Sequence, residues 1–273
     1  MTRPLHILVF GAHPDDCDIT AGGTAARYCR LGHRVLLVSV TNGDAGHHET
    51  GGARLAQRRR DEFAAAAACI GAESLVLDIH DGELLPTLEN RRTIIEVIRR
   101  FGPDCIMSPR PNDYHPDHRY TAQLIQDAAY MVTVPNVAGM TPHLAHNPVI
   151  VYVSDTFQKP TPFAPDVVVP VDETIEAKID MLHCHTSQFY EWLPYNAGTL
   201  DEVPAGAVER RAWLQQRLEQ RMRRDAERFR HLLIRQHGPA AVHVRYAEAF
   251  EGCEYGTPLT PERIPQLFPF FDR

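Results

Sequence analysis

His13, Asp15 and Asp16 fall within four consecutive positions of "FGAHPDDCDIT" (residues 10–20), at the end of the apolar run "LHILVF". A strand-to-helix turn aims backbone N–H groups at whatever sits above the end of a sheet, and dinucleotide-binding proteins use a glycine-rich turn of this kind to hold a pyrophosphate. Here only Gly11 and the pair Gly22 and Gly23 remain. Two carboxylates at the phosphate position repel a polyanion and attract a divalent cation. The turn is therefore read as one that wants positive charge.

A second cluster has the same setting. The segment "RPNDYHPDHRYTAQL" (residues 110–124) follows the apolar run "CIMS" and carries His115, Asp117 and His118, with a helix expected to begin near Asp117. His13 and His118, with Asp15 or Asp16, make two imidazoles and one carboxylate. That set suits catalytic Zn2+ with a fourth position open to water, and it also admits Fe2+ or Co2+. The remaining carboxylate and His115 then stand where hydrolysis needs a general base and a donor to an oxyanion. A single His-Pro-Asp is ordinarily a capped turn, but two such clusters at the exits of two expected parallel strands favour a shared metal.

The frame for these residues is an alternation of short apolar runs with longer amphipathic stretches: "LHILVF", "GTAARYCRLG", "RVLLVSV", "RLAQRRRDEFAAAAACIG", "SLVLDI", "ENRRTIIEVIRRFG", "DCIMSP". Such alternation specifies βαβ units, hence a Rossmann-like α/β fold with a mainly parallel sheet flanked by helices. Right-handed crossovers put the strand ends along one edge. Gly32, Gly71 and Gly102 fall where helices should stop. Residues 131–170 are rich in Pro and Asn, with strands expected at "VIVYVS" and "DVVVPV" and a helix from about Glu173. A charged helix follows, with Trp213, Leu214, Leu218, Met222 and Phe229 as one apolar stripe for the core or for a second subunit, so a homo-oligomer is a candidate assembly. The ending "IPQLFPFFDR" is expected to pack down. The chain is read as a single domain over 1–273, with its core in 5–190 and a helical extension and tail in 191–273.

Bulk properties remove several classes of function. Net charge is −7 with no long basic run, which disfavours nucleic-acid and anionic-membrane partners. No apolar stretch approaches the ~20 residues of a membrane span, and the N-terminus lacks a charged leader, so a cytoplasmic location is the default expectation. The six cysteines are scattered without a C-x-x-C pair, which argues against a disulfide framework and a thiolate zinc site.

"AHPDD" after the first strand, "TNGDAG" at 41–46, "HPDH" at 115–118 and "HTSQ" at 185–188 resemble, in this order, the motifs of the PIG-L/LmbE-like zinc-dependent de-N-acetylases. The resemblance spans roughly residues 5–190, and its first and third motifs are the specific ones. It implies a Rossmann-like fold, Zn2+ as cofactor and hydrolysis of the acetamide of an N-acetylglucosamine-type sugar or glycoside. It assigns His13, Asp16 and His118 as ligands and Asp15 as base, with a protonated His115 as the group that polarises the carbonyl and Asp117 orienting it. It also puts an arginine like Arg59 near the sugar.

Asp44, Arg110, Asn112 and His185 are further candidates for substrate contact, each with a structural counterpart as turn, loop or capping residue. Arg59 and Glu62, three apart, are expected to meet on one side of their helix. His47 and His48 are expected as loop residues over the pocket. Phe189, Tyr190, Trp192 and Tyr195 suit a wall for a sugar ring or a subunit contact. Alternatives are an amidase acting on another amide of a sugar conjugate and a non-catalytic Rossmann-like ligand-binding module. A phosphoesterase is weaker, because only Arg110 and Arg119 lie near the acidic clusters in sequence.

Overall fold

Alternate residues of the first strand, β1 (His6–Gly11), enter two different cores, Ile7 and Val9 on one side and Leu8 and Phe10 on the other. A strand apolar on both faces must be covered on both faces. The computed structural model, which describes residues 3–271, meets that requirement with one seven-stranded sheet between helical layers. The strands are β1, β2 (Arg34–Ser39), β3 (Glu73–Val76), β4 (Cys105–Ser108), β5 (Val149–Val153), β6 (Val167–Pro170) and β7 (Ala247–Gly256). Their order is β3-β2-β1-β4-β5-β7-β6. The first five run parallel, and β7 is antiparallel to both its neighbours.

Helices α1 (Asp16–Arg30), α2 (Gly52–Ile70), α5 (Ile175–Cys184) and α7 (Ala207–Arg228) share one core with the sheet, through Tyr28, Phe63, Met181 and Met222. The other face is covered by α3 (Leu88–Phe101) and α4 (Pro116–Met131), through Ile94, Ile98, Leu124 and Ala128. Short helices α6 (Leu193–Asn196), α8 (Arg230–His237) and α9 (Ile264–Leu267) complete the chain. Gly71 and Gly102 end α2 and α3 in the left-handed conformation, as expected of C-terminal caps.

Three expectations need adjustment. The helix placed at Glu173 begins with a tight 3-10 turn, Asp172–Thr174, and becomes α-helical at Ile175. Residues 191–273 are not only a helical extension and tail, because β7 lies between β5 and β6 and is part of the sheet. Its Glu248 is buried, accepts from the backbone N–H groups of Gly23 (2.9 Å) and Thr24 (2.7 Å), and pairs with Lys178 Nζ at 2.6 Å. The apolar stripe of α7 is spent internally: Leu214 packs with Leu182, Phe189 and Tyr190, and Met222 joins the main core. The tail packs down through Leu267, Phe268 and Phe270, and Tyr28 Oη donates to the Leu267 carbonyl at 2.7 Å; its last two residues, Asp272 and Arg273, lie outside the described residues. No helix among the described residues is long and apolar enough to cross a membrane.

Candidate metal centre and active site

The switch from β1 to β4 in the strand order opens a crevice beyond the carboxyl ends of the parallel strands, where ligands of such sheets bind. The first acidic turn leaves β1 there. Asp15 occupies the N-cap of α1, and the backbone N–H groups of Asp15 and Asp16 both donate to the His13 carbonyl. The Asp16 carboxylate folds back over the turn, where Oδ2 accepts from the N–H groups of Ala12 (2.9 Å) and His13 (2.8 Å). Gly11 permits this closure, since a Cβ there would lie 2.6 Å from Asp16 Cβ.

Asp16 Oδ2, His13 Nδ1 and His118 Nε2 form a near-equilateral triangle with edges of 3.3, 3.2 and 3.3 Å. Ligands about 2.0–2.1 Å from a tetrahedral Zn2+ stand about 3.3 Å apart, so the donors have the spacing such an ion requires. Two imidazole nitrogens facing each other this closely need a cation between them or protons on the rings. Burial alone would lower the His118 pKa, but the Asp16 charge and hydrogen bonds to Asp113 and Asp16 lift it to about 10. His13, against the same pull of burial, is raised well above its ordinary value by hydrogen bonds to Asp117, Asp16 and Asp81. The centre thus favours positive charge, as its residue types imply.

The outer nitrogens of both rings face carboxylates. His118 Nδ1 is 3.1 Å from Asp113 Oδ2, and His13 Nε2 is 3.1 Å from Asp81 Oδ1 and 3.3 Å from Asp117 Oδ2. Such partners hold the proton on the outer nitrogen and leave the inner lone pair for a metal. Asp113 and Asp81 were not singled out in the sequence. The available signal for Asp81 was "IHDG", a third acidic turn shortly after a strand.

Asp15 is not one of the three donors, and it lines the cavity beside them. Its Oδ1 accepts from Arg59 Nη2 at 3.1 Å, and Arg59 Nη1 lies 3.5 Å from Asp81 and donates to the Gly43 carbonyl. Arg59 therefore does not meet Glu62; that partner is Arg58, one turn before Glu62 at 3.1 Å. Gly43 has φ +70° and no side chain because the Arg59 guanidinium would lie 2.6 Å from its Cβ.

His115 is the N-cap of α4, and its Nδ1 accepts from the backbone N–H of Asp117 at 3.2 Å. Its pKa is lowered, first by burial and then by the neighbouring His13 and His118 charges. With Nδ1 accepting from the Asp117 amide, Nε2 is the ring nitrogen left to carry a proton. The Asp117 carboxylate accepts from the Gly82 N–H at 2.7 Å and approaches His13. Asp117 orients His115 through its amide, and its carboxylate belongs to His13.

A cavity of about 800 Å³ opens over these groups, lined by His13, Asp15, Asp16, Arg59, His115 and His118 among others. Trp192 and Leu193 reach it, whereas Phe189 and Tyr190 are buried in the core and Tyr195 stacks on His48. Four expected substrate contacts take other positions. Asp44 does not line the cavity; it accepts from His80 Nδ1 (2.6 Å) and from the Asp81 N–H (3.0 Å), fixing the turn that carries Asp81. Arg110 borders the cavity but spends its guanidinium on Asp155 at 2.6 and 2.7 Å, and Asn112 donates to the Lys159 and Thr161 carbonyls. Both therefore shape the 155–161 loop. His185 is wholly buried, its Nε2 2.5 Å from Asp18 Oδ2, because it lies inside the α1–α5 contact rather than at the strand ends. Thr186 and Ser187 of "HTSQ" are structural too, donating to Glu62, whereas Gln188 lines the cavity and donates to the Gly46 carbonyl. From the far end of the chain, α7 brings Arg221 and Arg224 to the cavity wall; no local motif marked them.

Comparison with known proteins bears on this geometry. Residues 8–129 match the family described as PIG-L: GlcNAc-PI de-N-acetylase. A diacetylchitobiose deacetylase from Thermococcus kodakarensis is 32% identical over 206 residues, covering 69% of this chain and 74% of the relative. A 4-oxalmesaconate hydratase from Pseudomonas putida is 25% identical over 197 residues, covering 69% and 76%. The solved structure of an N,N'-diacetylchitobiose deacetylase from Pyrococcus horikoshii superposes with a TM-score of 0.66 over 91% of this chain and 83% of that one, at 24% identity, and so shares the fold.

Proposed function

This chain belongs to the PIG-L (GlcNAc-PI de-N-acetylase) family, and from that premise we propose that it is a divalent-metal-dependent hydrolase, with Zn2+ the favoured ion, that removes acetyl from an N-acetylglucosamine-type sugar or glycoside. The observation that carries the reading is the triangle of His13 Nδ1, Asp16 Oδ2 and His118 Nε2, with donor spacing suited to a tetrahedral ion. A bound divalent cation supplies Lewis acidity to the amide carbonyl and to water, lowering the water pKa towards about 7.

The chain's own groups then divide the work. Asp15, held by Arg59, accepts the proton of the attacking water. His115 Nε2–H, fixed by the Asp117 amide, donates to the carbonyl oxygen as negative charge grows there. Asp15 next passes its proton to the amide nitrogen as the C–N bond breaks, releasing acetate and the free amine. Trp192 and Leu193 offer an apolar wall to a sugar ring.

The test is metal analysis of the purified protein beside acetate release from N-acetyl sugars, with and without chelator. About one equivalent of metal and chelator-sensitive release are expected; neither a metal nor acetate would leave only a ligand-binding module. The hydratase relative favours a second reading, addition of water to an unsaturated acid at the same centre. Loss of the ultraviolet absorbance of an enol acid, without acetate release from any sugar, would select it.

A further inference from the structure

Four arginines line the cavity, and three have carboxylate partners: Arg59 with Asp15 and Asp81, Arg110 with Asp155, and Arg224 with Asp225 at 3.2 Å through Nε. Arg221 has no hydrogen bond or ion pair with a described residue, and the terminal nitrogens of Arg224 have none either. The two guanidiniums sit together on α7, one turn apart by sequence and on one cavity wall. Arg221 is exposed and Arg224 half-buried; the Arg221 charge is repelled by that of Arg224 and attracted by the Asp16 and Asp15 carboxylates. Those opposing carboxylates are committed elsewhere, Asp15 to Arg59 and Asp16 to the His13–His118 centre. Ser154, on the same wall, has a shielded Oγ with no partner. A smaller pocket of about 50 Å³ shares Ser154, Arg221 and Arg224 with the cavity.

Two adjacent cations repel each other, and the shielded Ser154 hydroxyl beside them lacks a partner. An oxyanion relieves all three at once, through charge-assisted hydrogen bonds of the kind arginine makes to carboxylate and phosphate. A neutral sugar hydroxyl relieves none of the charge. Resting on the deacetylase reading, we propose that the N-acetyl sugar bears an acidic group, a carboxylate or phosphate, which Arg221 and Arg224 bind with Ser154 Oγ donating, while the acetamide faces the His13–Asp16–His118 centre. The α7 arginines are specificity residues, acting on the part of the substrate that does not react.

The test uses the metal-loaded full-length protein and three probes: the methyl glycoside of N-acetylglucosamine, its carboxymethyl glycoside and N-acetylglucosamine 1-phosphate. Binding is measured by calorimetry and turnover by acetate release. At least one acidic probe is expected to bind about tenfold or more tighter than the methyl glycoside, with the preference shrinking as NaCl rises. Arg221→Gln and Arg224→Gln should each move that ratio towards one. The two acidic probes separate carboxylate from phosphate. A wild-type ratio near one, or a preference indifferent to salt, overturns the proposal even if both variants fail to fold. Equal acetate release from all probes with equal binding removes the acid receptor and keeps the deacetylase. An acid preference in binding without acetate from any probe does the reverse.

Discussion

Asp15 and Asp16 are chemically identical neighbours, and their roles diverge because the first turn of α1 points their carboxylates in different directions. Asp16 closes on the backbone N–H groups of Ala12 and His13 and faces both imidazoles, while Asp15 is drawn to Arg59. Asp15→Asn should therefore keep its metal and lose about 10²–10⁴ in kcat, whereas Asp16→Asn should lose metal. Metal content and acetate release on the same samples separate the two, and near wild-type turnover in Asp15→Asn would refute the base assignment. The centre also makes metal and protons compete. The His118 pKa of the metal-free protein is raised from 6.5 to about 10, so the stability drawn from that proton is complete below about pH 6.5 and is lost as pH rises towards 10. Metal ligation needs the neutral ring. Binding should thus release protons near pH 8 and tighten between pH 6.5 and 10, as read by calorimetry in buffers of different ionisation enthalpy; a pH-independent affinity would contradict the geometry.

Elements place these residues through contacts remote from the chemistry. Glu62 on α2 receives Thr186, Ser187 and Arg58, so the "HTSQ" segment closes against the helix that carries Arg59. Beneath it, Asp18 on α1 and His185 after α5 form a pair with no exposed surface; burial raises the Asp18 pKa and the contact with His185 opposes that rise. Removing one member leaves the other buried without a partner, which costs about 3–5 kcal/mol. His185→Ala should accordingly lower Tm by many degrees while the KM of the folded fraction stays put. A selective rise in KM with unchanged Tm would return His185 to the substrate.

At the scale of the molecule, the active edge is assembled from the exits of parallel strands and roofed by α7, while β7 and the tail lock the far side of the sheet. Residues 5–190 carry every motif, yet they leave β6 without its partner strand and Lys178 without Glu248. A chain ended after residue 190 should lack a cooperative thermal transition by circular dichroism, because an unpaired buried lysine and an exposed sheet edge replace β7. A sharp melt from that fragment would show the last third to be dispensable.

The strand runs, the capping glycines and the two acidic turns were legible in sequence because each depends on local periodicity and turn chemistry. So was the family, through "AHPDD" and "HPDH". Which carboxylate faces the metal position follows from backbone geometry within one turn, and residue types alone do not carry that direction. Asp113 reaches the cavity through contacts with His115 and His118 in its own turn, but Asp81, Arg221 and Arg224 reach it, and His185 and Asp44 leave it, through packing between segments tens to hundreds of residues apart. Packing across such separations depends on how helices settle on the sheet, so only the folded chain decided what the cavity wall presents to a ligand.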